Sequence, residues 1–175
     1  METVRNPETL APVTTERLLL HPLGAVEAGR IAAREPGAGD RWAEGYPGDA
    51  DVAVAGRVLD RVAAQGGPGV FGAYEIRRRA DGVAVGGIGF HGPPDEEWYV
   101  TVGYGLVPGA RGRGYATEAL RALLAYAREQ GIAGAKGDAD LGNVASQHVM
   151  EAAGMRYAGE DERVRCYRVE FAPAT

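Results

Sequence analysis

The segment Pro108-Gly109-Ala110-Arg111-Gly112-Arg113-Gly114-Tyr115-Ala116 constrains this chain more than any other. It is a short, basic, glycine-rich loop between two stretches of different periodicity. Before it, Trp98-Tyr99-Val100-Thr101-Val102-Gly103-Tyr104-Gly105-Leu106-Val107 is rich in β-branched and aromatic residues, which predicts a strand over residues 98–107. Pro108 has no N–H and ends that strand's donor ladder. After the loop, Ala116, Ala119, Leu120, Leu123, Leu124 and Ala127 recur at i, i+3, i+4, i+7, i+8 and i+11, one apolar face of a helix. Gly131 then serves as a stop. A helix N-terminus presents unpaired N–H groups and a partial positive charge. Gly112 and Gly114 let the backbone turn sharply and approach a ligand closely. Arg111 and Arg113 add planar, bidentate donors. A loop so built suits phosphate. The same residues also read as a solvated turn carrying two surface arginines.

The rest of the chain fits around this unit. Residues 1–13 contain Pro7 and Pro12 with little periodicity and predict a loose tail, so that one domain runs from residue 14 to 175. Leu18-Leu19-Leu20 marks a first strand. Residues 25–34 predict a helix that buries Val26, Ile31 and alanines, broken by Pro36-Gly37-Ala38-Gly39. Residues 36–50 form a loop with two large aromatics, and residues 51–65 a second helix. A hairpin follows, from strand 70–79 through Asp81-Gly82 to strand 83–91. A short strand over residues 132–140 precedes a helix opened by Asn143, with Ala145, Val149, Ala152 and Ala153 as its apolar set. Residues 163–171 close the chain as a strand with Tyr167, Val169 and Phe171 on one face.

Gly87-Ile88-Gly89-Phe90-His91-Gly92 matches Gly-x-Gly-x-x-Gly, but a dinucleotide fingerprint needs a helix immediately afterwards. Pro93-Pro94-Asp95-Glu96-Glu97 follows instead, so these glycines are read as sites of close backbone approach or a bulge. With 45% hydrophobic and 25% charged residues the composition is that of a globular domain. A net charge of −5 argues against nonspecific nucleic-acid binding and against a polybasic membrane anchor. No apolar run reaches the ~20 residues a membrane span needs, and the first residues lack a signal-peptide core. A cytoplasmic location is the expectation. One cysteine, Cys166, allows no internal disulfide, and the three histidines have no metal-like spacing, so no metal is expected.

Arg111-Gly112-Arg113-Gly114-Tyr115-Ala116 fits the pattern Arg/Gln-x-x-Gly-x-Gly/Ala and resembles the acetyl-CoA pyrophosphate loop of the GNAT N-acetyltransferase superfamily. Two further blocks resemble its RimJ/RimL-type branch: Asn143-Val144-Ala145-Ser146, opening a helix closed by Gly154-Met155, and the opening strand Thr15-Glu16-Arg17-Leu18-Leu19-Leu20. The three lie in family order. The resemblance implies a mixed α+β fold with a central, mostly antiparallel sheet of about six or seven strands, splayed in the middle and flanked by about four helices. It implies acetyl transfer from acetyl-CoA to a primary amine on a small molecule or peptide, by direct attack in a ternary complex.

What the resemblance implies for individual residues is specific. The phosphates fall to Arg111, Gly112, Arg113, Gly114, Tyr115 and Ala116. The pantetheine arm inserts between strands 98–107 and 132–140 like an extra strand, with backbone N–H groups at Leu106 and Val107 pairing with it and polarising the thioester. Gly105 allows a bulge there. Asn143 contacts pantetheine or simply caps its helix. Ser146 helps to protonate the leaving thiolate. Trp42, Glu44 and Tyr46 either border the acceptor or anchor their loop, and Glu96 belongs to an acidic loop suited to a cationic amine. Many relatives carry a glutamate where this chain has Thr101, which cannot act as a base. The candidates in its place are His91, Asp95, Glu96 or Glu97, and Glu44, with His91 the first choice, since imidazole is poised near neutrality. The missing carboxylate also keeps open a CoA-binding regulatory module of the same fold without acetylation activity. The acceptor's identity and the oligomeric state, with a homodimer among the options, stay open.

Overall fold

The computed structural model describes residues 10–67 and 69–172. The elements are β1 (Val13–Thr14), β2 (Leu18–Pro22), α1 (Ala25–Ala33), α2 (Asp49–Gln65), β3 (Ala73–Arg78), β4 (Ala84–Phe90), β5 (Tyr99–Leu106), α3 (Tyr115–Glu129), β6 (Gly134–Asp140), α4 (Val144–Ala152), β7 (Arg156–Glu160) and β8 (Val164–Glu170). A 3-10 turn at Pro108–Ala110 joins β5 to α3. The eight strands form one sheet in the order β1-β2-β3-β4-β5-β6-β8-β7. Its pairs are antiparallel except β5 with β6.

This is the expected mixed architecture with a slightly longer sheet. The additions are β1, whose two residues pair with Leu19 and Leu20, and β7. Strand β7 is nearly all exposed and broken by a register shift at Gly159, whose φ is +130°. It therefore lacks the alternation that reveals a strand in sequence. Most of the expected tail, residues 1–9, lies outside the described residues.

The parallel pair is the site of the splay. Strands β5 and β6 are joined at Tyr99↔Gly134, Val100↔Ala135 and Thr101↔Lys136. Beyond Thr101, β5 stays with β4 as far as Leu106, and β6 stays with β8 as far as Asp140. The two strands thus diverge, leaving a gap in the middle of the sheet.

Side-chain alternation assigns the helices to faces. A Cβ on Gly87 would meet the Asp51 carboxylate of α2, so the odd residues of β4 face α2. Phe90 packs on Tyr126 of α3, and Tyr104 of β5 bonds to Ser146 of α4, so the even residues face α3 and α4.

Helix α3 buries Ala119, Leu120, Leu123, Leu124 and Ala127 as its periodicity predicts. The other two short helices need correction. Val26 of α1 is 64% exposed, and Ala28 and Ile31 are the buried pair. In α4 the buried residues are Gln147 and Met150, whereas Ala145 and Ala152 are exposed. Gln147 escapes an apolar pattern because its amide is satisfied internally: it donates to the carbonyls of Asp140 and Leu141 and accepts from Arg165.

Candidate active site

The glycine-rich loop is a preformed cradle. Gly112 and Gly114 adopt φ of +77° and +81°, backbone that any side chain would strain. Gly114 is the N-cap of α3. Among the described residues the amides of residues 112–116 make no hydrogen bond within the protein. Space beside Gly112 is open to 4 Å. The loop is held from outside the cradle. Arg17 donates to the Arg113 carbonyl at 2.8 Å and stacks over the Tyr115 ring. Arg111 Nε donates to the Leu106 carbonyl at 3.2 Å. Glu118, in the first turn of α3, accepts from Thr15 Oγ1, Arg17 N and Arg17 Nε at 2.5, 2.9 and 2.8 Å. Burial pushes Glu118 up, but these bonds from Thr15 and Arg17 outweigh it and keep its carboxyl below the ordinary range. The N-terminus of α3 is therefore fixed while its amides stay unengaged, the arrangement an anionic diphosphate needs.

A cleft of about 880 Å³ runs from this loop through the splay. Its floor is the glycines 87, 89, 103 and 105 of β4 and β5, and its α2 wall includes Asp51, Arg57 and Arg61. The Val107 N–H donates to the Val85 carbonyl at 2.9 Å and is spent within the sheet, contrary to the expectation that it pairs with a ligand. The same alternation turns the N–H groups of Tyr104 and Leu106 away from β4 and into the gap. Leu106 thus keeps its expected orientation, with Tyr104 as the second exposed backbone edge. The expected bulge at Gly105 is absent, since the β4–β5 register runs unbroken past it. Instead Gly86 permits close approach: a Cβ there would lie 2.1 Å from the Gly105 carbonyl oxygen.

The gap joins two chemically different faces. On the α4 side, the Tyr104 hydroxyl and Ser146 Oγ lie 2.7 Å apart, and Tyr104 also donates to the Ser146 carbonyl at 3.1 Å. Burial raises the Tyr104 phenol, partly offset by the Ser146 bond, so this pair is a reservoir of protons at neutral pH. Asn143 accepts the Ser146 N–H at 3.1 Å and so caps α4. On the α2 side, His91 lies against Gly103, where a Cβ would be only 2.3 Å from Nε2. Partial desolvation in the cleft and the nearby Arg57 charge lower the His91 imidazole, and Asp138 opposes them. The ring is thereby biased toward its neutral, proton-accepting form.

Asp51 anchors the deeper end. It accepts the Gly48 N–H at 2.9 Å, and burial raises its carboxyl. Behind it, buried Glu75 accepts from Tyr46 at 2.8 Å and from Arg77 at 2.6 Å. Tyr46 lines the cleft with its hydroxyl spent on Glu75, and Trp42 supports it edge-on rather than lining the cleft itself. Glu44 and Glu96 are both exposed and neither lines the cleft. Glu96 sits in the turn before β5, where the neighbouring Asp95 is paired with Lys136. Sequence reasoning missed Asp51, Arg57, Tyr104 and Asp138 as site residues. Their meeting depends on the splay and on the α2 register, neither of which leaves a local motif. Among the described residues no cluster of His, Cys, Asp or Glu is arranged to hold a metal, and no helix is long and apolar enough to cross a membrane.

A family model described as an acetyltransferase (GNAT) domain matches residues 17–156, a span that includes the loop, the splay and α4. The chain belongs to the GNAT acetyltransferase family. Solved GNAT structures share its fold. An acetyltransferase from Agrobacterium tumefaciens is 27% identical, with a TM-score of 0.65 over 92% of this chain and 95% of its own. A ribosomal-protein-S5-alanine acetyltransferase from Vibrio fischeri is 14% identical, with a TM-score of 0.68 over 92% and 97%. RimL, the ribosomal L7/L12 α-N-protein acetyltransferase, solved with coenzyme A, is 13% identical, with a TM-score of 0.65 over 92% and 98%. At 14% and 13% identity, the last two share the fold with this chain. No protein of curated function matches the sequence. Within the GNAT fold, Gly87, Gly89 and Gly92 belong to β4 and the turn after it, with no helix following, so the dinucleotide reading is excluded.

Proposed function

We propose that this GNAT protein is an N-acetyltransferase that moves an acetyl group from acetyl-CoA to a primary amine by direct attack in a ternary complex. The observation that carries the reading is the row of unengaged amides at residues 112–116, opening onto a sheet gap edged by Tyr104 and Leu106. Acetyl-CoA supplies the activated acyl group as its thioester. Arg111, Arg113 and the loop amides hold the phosphates, with Tyr115 and Ala116 contributing the first helical N–H groups. Asn143 and the Leu106 and Tyr104 backbone bind the pantetheine arm. The Leu106 N–H faces the thioester carbonyl, a donor typically worth about 2.7–4 kcal/mol in a transition state.

His91 takes one proton from the acceptor ammonium, directly or through water, and leaves the neutral amine that attacks. The amine nitrogen bonds to the carbonyl carbon as the carbon–sulfur bond breaks; the Ser146–Tyr104 pair gives a proton to the sulfur and is restored, through water, by the second proton that leaves the new amide nitrogen. The test is release of free thiol from acetyl-CoA in the presence of a panel of amines and peptides. Steady turnover supports the reading; binding of acetyl-CoA with no turnover against any acceptor favours a regulatory module instead.

A further inference from the structure

Three arginines line the cleft. Arg61 donates to the Phe71 carbonyl at 3.0 Å and Arg111 to the Leu106 carbonyl at 3.2 Å. Arg57 makes no hydrogen bond or ion pair among the described residues. It projects from α2 on the same side of the sheet as His91, and its charge is felt at that imidazole. An unpaired guanidinium has five N–H donors in a planar fork that fits a carboxylate bidentately. Asp51 stands on the same α2 wall, and Asp138 of β6 lies on the same lining and also acts on His91.

The geometry points to a zwitterionic acceptor: a primary amine whose own molecule carries a carboxylate, gripped by Arg57 while the amine meets His91. This rests on the acetyl-transfer reading above and narrows its substrate class. The mixed sign of the walls decides between acceptors. A diamine or polyamine would bring a second cation against Arg57 and leave its fork unfilled. A phosphorylated amine would set a dianion against Asp51 and Asp138 on the same lining. An ammonium with a single carboxylate offers one charge to each sign on the lining. The acidic 95–97 turn lies outside the cleft lining, and the carboxylates that face an ammonium there are Asp51 and Asp138.

The test is kcat/KM for acceptors matched in everything but the carboxylate. Free amino acids are compared with their amides, and C-terminally amidated dipeptides beginning with Asp with those beginning with Asn. The first arm reads a free amino acid, the second an acidic peptide N-terminus. The wild-type protein is expected to prefer the carboxylate member of at least one arm by roughly 10- to 100-fold, the range of one charge-assisted bidentate contact. Arg57→Gln is expected to bring that ratio near one, and Arg57→Lys to leave an intermediate ratio. Acetyl-CoA affinity serves as the check that each variant is folded. Equal or better use of the amides, or a ratio that survives Arg57→Gln, overturns the inference while leaving acetyl transfer intact. Failure of every acceptor to release thiol overturns both.

Discussion

His91 and Gly103 act as one unit, because the imidazole occupies the space that a side chain at 103 would need. Replacing His91 by Gln is expected to lower kcat by about 10²-fold or more while leaving acetyl-CoA affinity within a few-fold. Gly103→Ala is expected to push the ring aside and lower kcat in the same way, with the protein still folded; kinetics beside a calorimetric titration separate the two effects. The pH dependence has a definite sign. The His91 imidazole lies below its ordinary value of about 6.5, through partial desolvation and Arg57, so its base form is already present at neutral pH. The acid limb of kcat is therefore expected below about pH 6.5, and Arg57→Gln, which removes one depressing charge, is expected to move that limb upward. A limb that stays in place on loss of Arg57, or an unaltered profile in His91→Gln, assigns the base elsewhere.

Among the elements, α3 and its loop were the most legible in sequence, because glycine, arginine and a 3.6-residue apolar period are all local signals. The register of β4 against β5 was not. Which backbone N–H faces the gap depends on a pairing that places Val107 against Val85 and frees Leu106. Helix α4 was legible in position, through Asn143, but not in facing, since its buried side includes a glutamine satisfied by tertiary bonds. The Asp51, Arg57, His91 and Asp138 grouping was likewise silent, being assembled from α2, the end of β4 and β6. Two substitutions test this level. Gly86→Ala puts a methyl 2.1 Å from a carbonyl oxygen of the neighbouring strand and is expected to cost about 1–3 kcal/mol in urea unfolding. Glu118→Ala removes the bonds that join α3 to the turn between β1 and β2 and is expected to cost about 1.5–3 kcal/mol. Because the Glu118 carboxyl lies below its ordinary 4.5 when folded, this contribution is present above that pH and lost as pH falls below it. The gap in stability between wild type and Glu118→Ala should narrow in acid.

At the scale of the molecule, the sheet gap brings two faces together, and in the proposed function α3 and α4 would hold the donor while α2 would wall the acceptor. Donor binding should stabilise the whole domain, since the cradle exists only in the folded chain. At a concentration of 100 Kd acetyl-CoA is expected to add about 2.7 kcal/mol, a rise in Tm of about 5–11 °C. The most direct measurement is a pair of calorimetric titrations, acetyl-CoA against S-acetylpantetheine, which carries the same thioester arm without the diphosphate. If the amides of residues 112–116 grip that diphosphate, acetyl-CoA binds in the micromolar range and S-acetylpantetheine about 100-fold or more weaker. Equal affinities for the two, or no binding of acetyl-CoA at all, would contradict the account at its centre.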